Sequence, residues 1–318
     1  PPSSAASDVY KRQSVNSVKL LNKIGFYKFK DEKKFNPDKI NFYSIKSTKK
    51  ICDLDISYFN SKDCKYTTLK RSDLINFLNK DVKDLIKHSH SISQIEHENH
   101  KIKLTFENRE NSECDYLIIS DGVFSNSKNL ISKNPTRPKY NNTLAIRGMI
   151  PNSPKIDYKN ISLFLGPDFH QVIYPVSQNG DLNFIAIMRY ELTLEKQKNY
   201  SLFSESSFIK KVLENVPKEN KVFFENVKEL KIFPVFVSSD FFETKNDNIN
   251  LIGDAFFAFQ PSFAQGASQS IESAYELFVS LNTDKEINFF KKRVNKLKMI
   301  NLRSKFNLFA FHLSLIHI

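Results

Sequence analysis

Tryptophan is absent from this chain of 318 residues, and cysteine and glycine are scarce. The three cysteines, Cys52, Cys64 and Cys114, suit neither a disulfide framework nor a four-ligand zinc site. We therefore expect a reducing, cytoplasmic environment. No apolar run approaches about eighteen residues, so the sequence predicts no membrane-spanning helix. The seven glycines are too far apart to form a G-x-G-x-x-G phosphate loop.

Aromatic residues are abundant instead, with 29 phenylalanines and 12 tyrosines. Together with a hydrophobic fraction of 40%, they exclude a disordered or collagen-like chain and allow one large or two medium domains. Lysine and arginine outnumber aspartate and glutamate by 47 to 35, which gives a net charge of +12. Because the lysines are scattered among Asp, Glu and Asn, we interpret the excess as a solvated surface and expect no nucleic-acid partner.

Both ends of the chain resemble translated adapter DNA. Residues 8–13 (DVYKRQ) and 313–318 (LSLIHI) can be encoded by reverse-complementary DNA strings, as in the transposase adapter of a sequencing library. We therefore expect residues 1–13 and 313–318 to be non-native, and the natural segment to run from about 14 to 312.

Hydrophobic periodicity predicts a mixed α/β chain. Runs rich in β-branched and aromatic residues predict two strands within 40–60 and an antiparallel sheet over 143–150, 160–166, 170–176 and 182–190. Helical spacing predicts a helix from Arg71 to Ile86, capped by Ser72 or Asp73, and further helices over 206–215, 266–281 and 285–312. Strand–helix units interrupted by an antiparallel insert indicate two interleaved domains.

The first motif that could carry chemistry is the segment 114–125 (CDYLIISDGVFS), a predicted strand that ends at Asp121-Gly122. In open α/β sheets, ligands bind at the carboxyl ends of the strands, where a carboxylate can accept hydrogen bonds from a ribose or sugar-alcohol hydroxyl. An ordinary Asp-Gly turn is the alternative interpretation.

The second motif is a predicted strand over 248–252 that enters Gly253-Asp254. Gly253 lets the backbone pass close to a ligand, and Asp254 presents a carboxylate. Residues 265–267 (QGA) then open a helix whose free N–H groups would stabilise an anion or an electron-rich carbonyl oxygen. The alternative is a strand, a turn and a packed helix without a ligand.

Together the two motifs resemble those of the class A flavoprotein monooxygenases, a family that includes salicylate and ubiquinone-pathway hydroxylases. The family motif D-x-L-I-x-A-D-G-x-x-S-x-x-R is matched at Asp115, Leu117, Ile118, Asp121, Gly122 and Ser125, whereas Ser120 and Lys128 replace its Ala and Arg. The motif G-D-A-A-H-x-x-x-P-x-x-G-Q-G-x-x-x-x-x-E-D-A is matched at Gly253, Asp254, Ala255, Pro261, Gln265, Gly266, Glu272 and Ala274. Phe256-Phe257, Ala264 and Ser273 replace its Ala-His, Gly and Asp. The resemblance covers nearly all of 14–312.

The resemblance implies a Rossmann-like FAD-binding domain, with its first βαβ unit missing, interleaved with an antiparallel-sheet substrate domain. The implied boundaries are 14–45, 64–136 and 237–285 for the FAD-binding domain, 46–63 and 137–236 for the substrate domain, and 286–312 for a C-terminal helix. Because the missing unit would carry the phosphate loop, we expect this fragment to be inactive by itself.

The resemblance also implies ligand-binding residues. Those implied for FAD are Arg71, Asp121, Gly122, Gly253, Asp254, Pro261, Gln265, Gly266 and Ala267, with Asp254 on a ribityl hydroxyl. Tyr174 is implied to line a substrate pocket, with a core role as the alternative, and Arg147 and His170 are weaker candidates. An aromatic lining, or equally an ordinary core, is expected from Phe164, Phe169 and Phe184 in the sheet and from Phe256, Phe257, Phe259 and Phe263 in the loop.

The activity implied is hydroxylation of an aromatic or similar small organic substrate with NADH or NADPH and O₂, through a flavin C4a-hydroperoxide. A related flavoprotein reductase or halogenase and a non-enzymatic basic binding protein remain alternatives. The pairs His88/His90 and His97/His100 lack a third ligand, so we expect no metal site. The basic helix 285–312 allows weak peripheral contact with an anionic membrane, although packing against the FAD-binding domain is the favoured interpretation.

Overall fold

The computed structural model describes residues 11–98, 100–133, 137–150, 157, 159–261, 266–283 and 288–311, which form a mixed α/β structure. The strands are β1 (Lys11–Gln13), β2 (Lys34–Phe35), β3 (Lys39–Ser44), β4 (Lys50–Asp55), β5 (Thr67–Leu69), β6 (Ile92–Glu98), β7 (Lys101–Phe106), β8 (Asn111–Cys114), β9 (Leu117–Ile119), β10 (Lys139–Ile150), β11 (Ile161–Gly166), β12 (Phe169–Pro175), β13 (Leu182–Arg189), β14 (Lys228–Val237) and β15 (Ile249–Leu251). The helices are α1 (Val15–Asn22), α2 (Arg71–Asn79), α3 (Asn126–Ile131), α4 (Leu194–Lys198), α5 (Ser206–Glu214), α6 (Lys221–Glu225), α7 (Gly253–Phe256), α8 (Gly266–Leu281) and α9 (Phe289–Phe311).

The described chain divides into two compact units. The sheet unit comprises residues within 1–79, 140–235 and 306–318, and the motif unit comprises residues within 80–139 and 236–305. The domain boundaries implied by the resemblance concern the ligand that each part binds, and they remain a prediction. Strand β3 falls within the segment implied for the FAD-binding domain, but it pairs with β11 in the large sheet.

The sheet unit is built on a seven-stranded sheet with the order β14-β10-β13-β12-β11-β3-β4. The pairs β10–β13, β12–β13 and β11–β12 are antiparallel, as predicted, whereas β3 runs parallel to β11. Phe208 and Val212 of α5 pack on one face of this sheet, because the helix buries its apolar side there. A smaller sheet, β1-β5-β2, lies in the same unit.

Register assigns the predicted pocket residues to two different faces of the large sheet. Residues directly opposite each other on neighbouring strands point to the same side, and successive residues alternate between sides. Arg147 lies opposite Ile185, which lies opposite Val172, and Tyr174 follows Val172 by two positions. Arg147 and Tyr174 therefore share one face, which we call the arginine face.

Of the two roles expected for the three sheet phenylalanines, a pocket lining and an ordinary core, the structure shows the core. Phe169, Phe164 and Phe184 point away from the arginine face into the core that includes α5. Phe164 contacts Phe223 at 5.1 Å between ring centroids, and Phe184 contacts Phe224 at 4.8 Å. The physical reason is the odd spacing between these residues and the arginine-face positions in a structure with a side-chain period of two.

The motif unit contains a parallel pair of strands, β15-β9, and an antiparallel sheet, β6-β7-β8. Ile119, Leu251, Phe256 and Leu297 belong to one buried apolar cluster. Helix α8 begins at Gly266 and ends at Leu281, as predicted, and α9 begins at Phe289 rather than at residue 285.

Helix α2 is shorter than its apolar pattern predicts. It begins at Arg71, so Ser72 and Asp73 lie in its first turn rather than at its N-cap, and it ends at Asn79. A separate turn of 3-10 helix follows at Lys83–Leu85, where Leu85 is 79% exposed. The polar segment 79–81 (NKD) interrupts the apolar face, and Asn and Asp both have low helix propensity.

Candidate functional site

The parallel strands β9 and β15 bring the two sequence motifs together. Leu117 lies opposite Ile249 and Ile119 lies opposite Leu251, and the Ile252 N–H extends the ladder by donating to the Ile119 carbonyl at 3.0 Å. Because the strands are parallel and in register, their carboxyl ends lie at the same edge. Asp121-Gly122 and Gly253-Asp254 therefore emerge side by side, where open α/β sheets bind ligands.

Asp121 organises the turn that follows β9. Its Oδ2 accepts a hydrogen bond from the Ser127 N–H at 3.0 Å, and the Ser125 hydroxyl accepts one from the Lys128 N–H at 2.9 Å. These bonds cap α3. Gly122 has φ +87°, which a residue with a Cβ rarely adopts. Asp121 therefore acts as a structural turn residue, and its side chain is also exposed to solvent.

Lys128 is a buried cation that the motif analysis noted only as a departure from Arg. It is 5% exposed. Burial lowers the pKa of its ammonium group, and the charge of Asp121 opposes that shift. The Lys128 ammonium therefore lies close enough to the Asp121 carboxylate to interact with its charge.

Gly253 is required by the packing of α8. Its φ is +59°, and a Cβ at this position would lie 3.0 Å from the Ser270 Oγ. Ser270 in turn donates to the Gly266 carbonyl at 3.0 Å, so the first turn of α8 lies against the Gly253 backbone. Sequence analysis missed Ser270, although its position four residues after Gly266 is the available signal.

The remaining predicted cofactor residues of the motif unit flank this turn. Asp254 lies in α7 and is exposed, and Ala267 and Pro261 are half-buried. Gly266 begins α8, and open space surrounds the position that a Cβ would occupy there. Gln265 lies outside the described residues.

In the sheet unit, Arg71 lies near the substrate-binding candidates. Thr68 of β5 donates through its hydroxyl to the Pro175 carbonyl at 2.5 Å, which joins β5 to the end of β12 that carries Tyr174. Arg71 begins α2 immediately after β5. Arg147 and Tyr174 share the arginine face, and both Tyr174 and Arg71 influence the pKa of the Arg147 guanidinium, so we treat the three residues as one cluster.

Arg147 is the central cation of this cluster. Burial lowers the pKa of its guanidinium, Tyr174 raises it, and Arg71 lowers it further. The guanidinium carbon lies 5.6 Å from the centroid of the Phe233 ring, and the buried Nε has no hydrogen-bond partner within the described part of the chain. A half-buried cation whose buried Nε is an unused donor, close to a second cation, favours an anionic ligand.

His170 lies on the arginine face but apart from the cluster. It precedes Tyr174 by four residues of β12, a separation of about 13 Å along a strand. It is buried, and its ring contacts Phe311 at 5.4 Å. The structure therefore brings Arg71, Arg147 and Tyr174 together and places His170 in an apolar contact elsewhere.

The described loop phenylalanines beside Asp254 belong to the core cluster of the motif unit. Phe256 and Phe257 are buried in the motif-unit cluster, and Phe257 stacks on Phe241 at 4.3 Å between ring centroids. Phe259 is half-buried against the same cluster, and Phe263 lies outside the described residues. Phe257, which replaces the family His, is held by this stacking.

The described residues contain neither a metal-binding cluster nor a membrane-spanning helix. No group of three or more His, Cys, Asp or Glu side chains there is arranged to hold a metal ion. None of the helices described there is both long and apolar enough to cross a membrane.

Comparison with known proteins gives a clear structural result. No family model and no curated protein match the sequence. HpxO from Klebsiella pneumoniae, complexed with FAD and uric acid, is similar with a TM-score of 0.79 and 15% identity over 95% of this chain and 79% of that one. A salicylate hydroxylase substrate complex has a TM-score of 0.76 and 17% identity over 95% of this chain and 81% of that one. The chain has the fold of FAD-dependent monooxygenases. The predicted α/β fold class is confirmed.

A third structure with the monooxygenase fold extends this likeness. The 2,6-dihydroxypyridine-3-hydroxylase from Arthrobacter nicotinovorans has a TM-score of 0.68 and 12% identity over 93% of this chain and 78% of that one. Identities this low show a shared fold and do not transfer the roles of individual residues to this chain.

Proposed function

We propose that this chain is an FAD-dependent monooxygenase that hydroxylates a small aromatic substrate with NADH or NADPH and O₂. The observation that carries the proposal is the emergence of Asp121-Gly122 and Gly253-Asp254 side by side at the carboxyl ends of β9 and β15. This arrangement occurs in a chain with the monooxygenase fold, and the similar HpxO structure is complexed with FAD.

The residues at this edge fit a flavin nucleotide. Gly253 has a left-handed φ, and a Cβ there would lie 3.0 Å from the Ser270 Oγ, so the turn that precedes the exposed Asp254 carboxylate favours glycine. A carboxylate accepts hydrogen bonds from ribityl or ribose hydroxyls, and helix N–H groups at Gly266 and Ala267 suit an electron-rich carbonyl oxygen. We assign Asp254, Gly253, Gly266, Ala267, Asp121 and Gly122 to FAD, with Arg71, Pro261 and Gln265 as further contacts.

The arginine face supplies the substrate subsite in this proposal. Arg147 and Arg71 would attract an acidic group on the substrate, and Tyr174 would orient it by a hydrogen bond. Val172, Leu163 and Ile185 lie on the same face and make its surroundings apolar. Such surroundings suit an aromatic ring and exclude water from the reacting atoms.

Bound FAD would supply the redox chemistry, namely activation of O₂ with electrons from the nicotinamide. The chain's own residues would do the rest. Asp254 would hold the cofactor's polyol chain, Arg147 and Tyr174 would fix the orientation of the aromatic ring, and the apolar residues around them would keep the site dry.

The test is to supply the full-length gene product that contains this chain with FAD, NADH or NADPH and a panel of phenols and hydroxybenzoates, following oxygen uptake and product mass. We expect substrate-stimulated oxygen uptake and products that gain one oxygen atom. Nicotinamide oxidation without oxygen use would favour a reductase. A full-length product that retains no flavin in equilibrium dialysis would favour the binding-protein alternative.

A further inference from the structure

A cavity of about 240 Å³ lies within the motif unit. Tyr116, which lines it, directly precedes β9, and Asp247, which also lines it, precedes β15 by two residues. Asp121 and Asp254 follow the other ends of the same strands. Since a strand of three residues is about 10 Å long, Tyr116 and Asp247 lie away from the proposed cofactor edge, although Phe256 of α7, the helix that carries Asp254, also lines the cavity.

One wall of the cavity is aromatic. Phe256 of α7 and Phe290 of α9 line it, and their ring centroids are 5.8 Å apart. Leu277 of α8 also lines the cavity. Aromatic rings carry negative charge density on their faces and attract cations that come within about 6 Å.

Two carboxylates also line the cavity. Glu243 and Asp247 line the cavity and are exposed. Neither forms an ion pair with any residue that the structure describes, although the whole sequence contains 47 lysines and arginines. The charged side chains among the described lining residues are therefore both acidic, although the exposed Lys245 lies between them in the sequence.

Hydrogen bonding leaves this part of the cavity lining rich in acceptors. The Asn250 amide nitrogen donates to the Tyr116 hydroxyl and, at 3.3 Å, to the Asp247 carbonyl. The Asn250 amide oxygen therefore remains available as a hydrogen-bond acceptor, and the Tyr116 hydroxyl remains available as a donor. Burial and the nearby Asp247 charge raise the pKa of Tyr116, so the phenol stays protonated at neutral pH.

We propose that this cavity binds a small organic cation, specifically a primary ammonium attached to an aromatic or apolar group. The carboxylates of Glu243 and Asp247 and the oxygen of Asn250 accept hydrogen bonds from the ammonium, and the Phe256–Phe290 wall takes the apolar part. Drug-sized ligands occupy clefts of about 300–1,000 Å³, so a cavity of about 240 Å³ fits a smaller molecule.

The experiment compares three probes of similar size: phenethylammonium, neutral 2-phenylethanol and anionic 3-phenylpropionate. Binding to the full chain is measured by ligand-observed NMR titration at low salt. We expect saturable binding of the ammonium, at least fivefold weaker binding of the alcohol, and no binding of the carboxylate. Equal affinity for the alcohol, or no saturable binding of the ammonium to folded protein, would overturn the proposal.

Matched variants locate the binding. Asp247→Asn and Glu243→Gln should each weaken phenethylammonium binding by about two- to fivefold, the effect typical of one exposed charge pair. Asp240→Asn is the control, because Asp240 is an exposed carboxylate of the same loop that does not line the cavity. If Asp247→Asn and Glu243→Gln leave the affinity unchanged, or if Asp240→Asn reduces it equally, the ligand binds elsewhere and the proposal is wrong. Flavin retention is measured in parallel and should be the same in all three variants.

Discussion

Arg147 lies on the arginine face among groups that do not neutralise it. Its surroundings include Arg71, the Tyr174 phenol and the Phe233 ring, and its buried Nε has no partner among the described residues. Even a half-buried cation is costly when its buried donor has no partner, unless a ligand or solvent compensates it. Its expected contribution is therefore to substrate binding rather than to stability.

Replacing Arg147 should discriminate between acidic and neutral substrates. In Arg147→Met we expect the KM of a hydroxybenzoate to rise by roughly tenfold to a hundredfold, the loss of one charge-assisted hydrogen bond, while the KM of an uncharged phenol changes little. Steady-state kinetics on both substrates measures this. Arg189→Met is the control, because Arg189 is an exposed arginine of β13 that pairs with Asp168 at 3.2 Å. Equal effects on both substrates would count against a carboxylate contact.

Asp254 should matter for the cofactor and not for folding. In Asp254→Ala we expect FAD affinity to fall by roughly tenfold to a hundredfold, because a charge-assisted hydrogen bond is lost, while far-UV circular dichroism stays unchanged. Equilibrium dialysis against FAD gives the affinity. Asp115→Ala removes an exposed carboxylate before the other end of β9, one that pairs with Lys101, and should leave FAD affinity unchanged. Full flavin occupancy in Asp254→Ala would refute the assignment.

At the scale of elements, the turn from β15 into α7 depends on a single glycine. Gly253→Ala should lower the free energy of unfolding by about 1–2 kcal/mol, because it forces a Cβ into a left-handed conformation and against the Ser270 Oγ. Urea denaturation measures this loss. Adding Ser270→Ala should restore part of it by removing the contact. Gly266→Ala is the control and should change stability little, since its Cβ would meet open space.

Helices α8 and α9 are joined by a buried ion-pair network. Arg293 is 1% exposed and donates to Glu276 at 2.9 Å and to the Gln269 side chain at 3.2 Å. Arg293→Ala should destabilise the chain by about 3–5 kcal/mol, because it removes the buried cation of the network and leaves the Glu276 carboxylate with only the Lys296 ammonium at 3.4 Å. Arg303→Ala, at an exposed position of α9, should change stability by less than about 0.5 kcal/mol. Thermal and urea unfolding should agree; a loss below about 1 kcal/mol in Arg293→Ala would show that the network contributes little.

At the scale of the whole molecule, the charge of +12 raises the question of nucleic-acid binding. The lysines are dispersed along the sequence, so we expect only the weak, sequence-independent attraction that counterion release gives any basic protein. Fluorescence anisotropy with labelled DNA duplexes at about 0.15 M salt should show dissociation constants weaker than about 1 µM, the same for different sequences. Sub-micromolar, sequence-dependent binding would contradict the expected absence of a nucleic-acid partner.

Local sequence predicted most of the elements. Alternation over 182–190 and 160–166 corresponds to β13 and β11, and helical spacing after Gly266 corresponds to α8, because side-chain periods of two and 3.6 follow from backbone geometry. The two strand-end motifs were also visible, since Gly253 and Asp254 directly follow an apolar run. The length of helix α2 was overestimated because hydrophobic periodicity does not show whether the apolar face of a helix has a core to pack against.

The sequence by itself determined the elements, the glycine turns and the presence of two carboxylates at strand ends. Tertiary structure alone decided that those ends lie side by side, that Arg147 joins Arg71 and Tyr174, and that Phe164 and Phe184 turn away from them. The reason is physical. Periodicity divides a strand into two faces but does not say which face meets which neighbour, and pairings such as β9 with β15 depend on contacts between residues more than 130 positions apart.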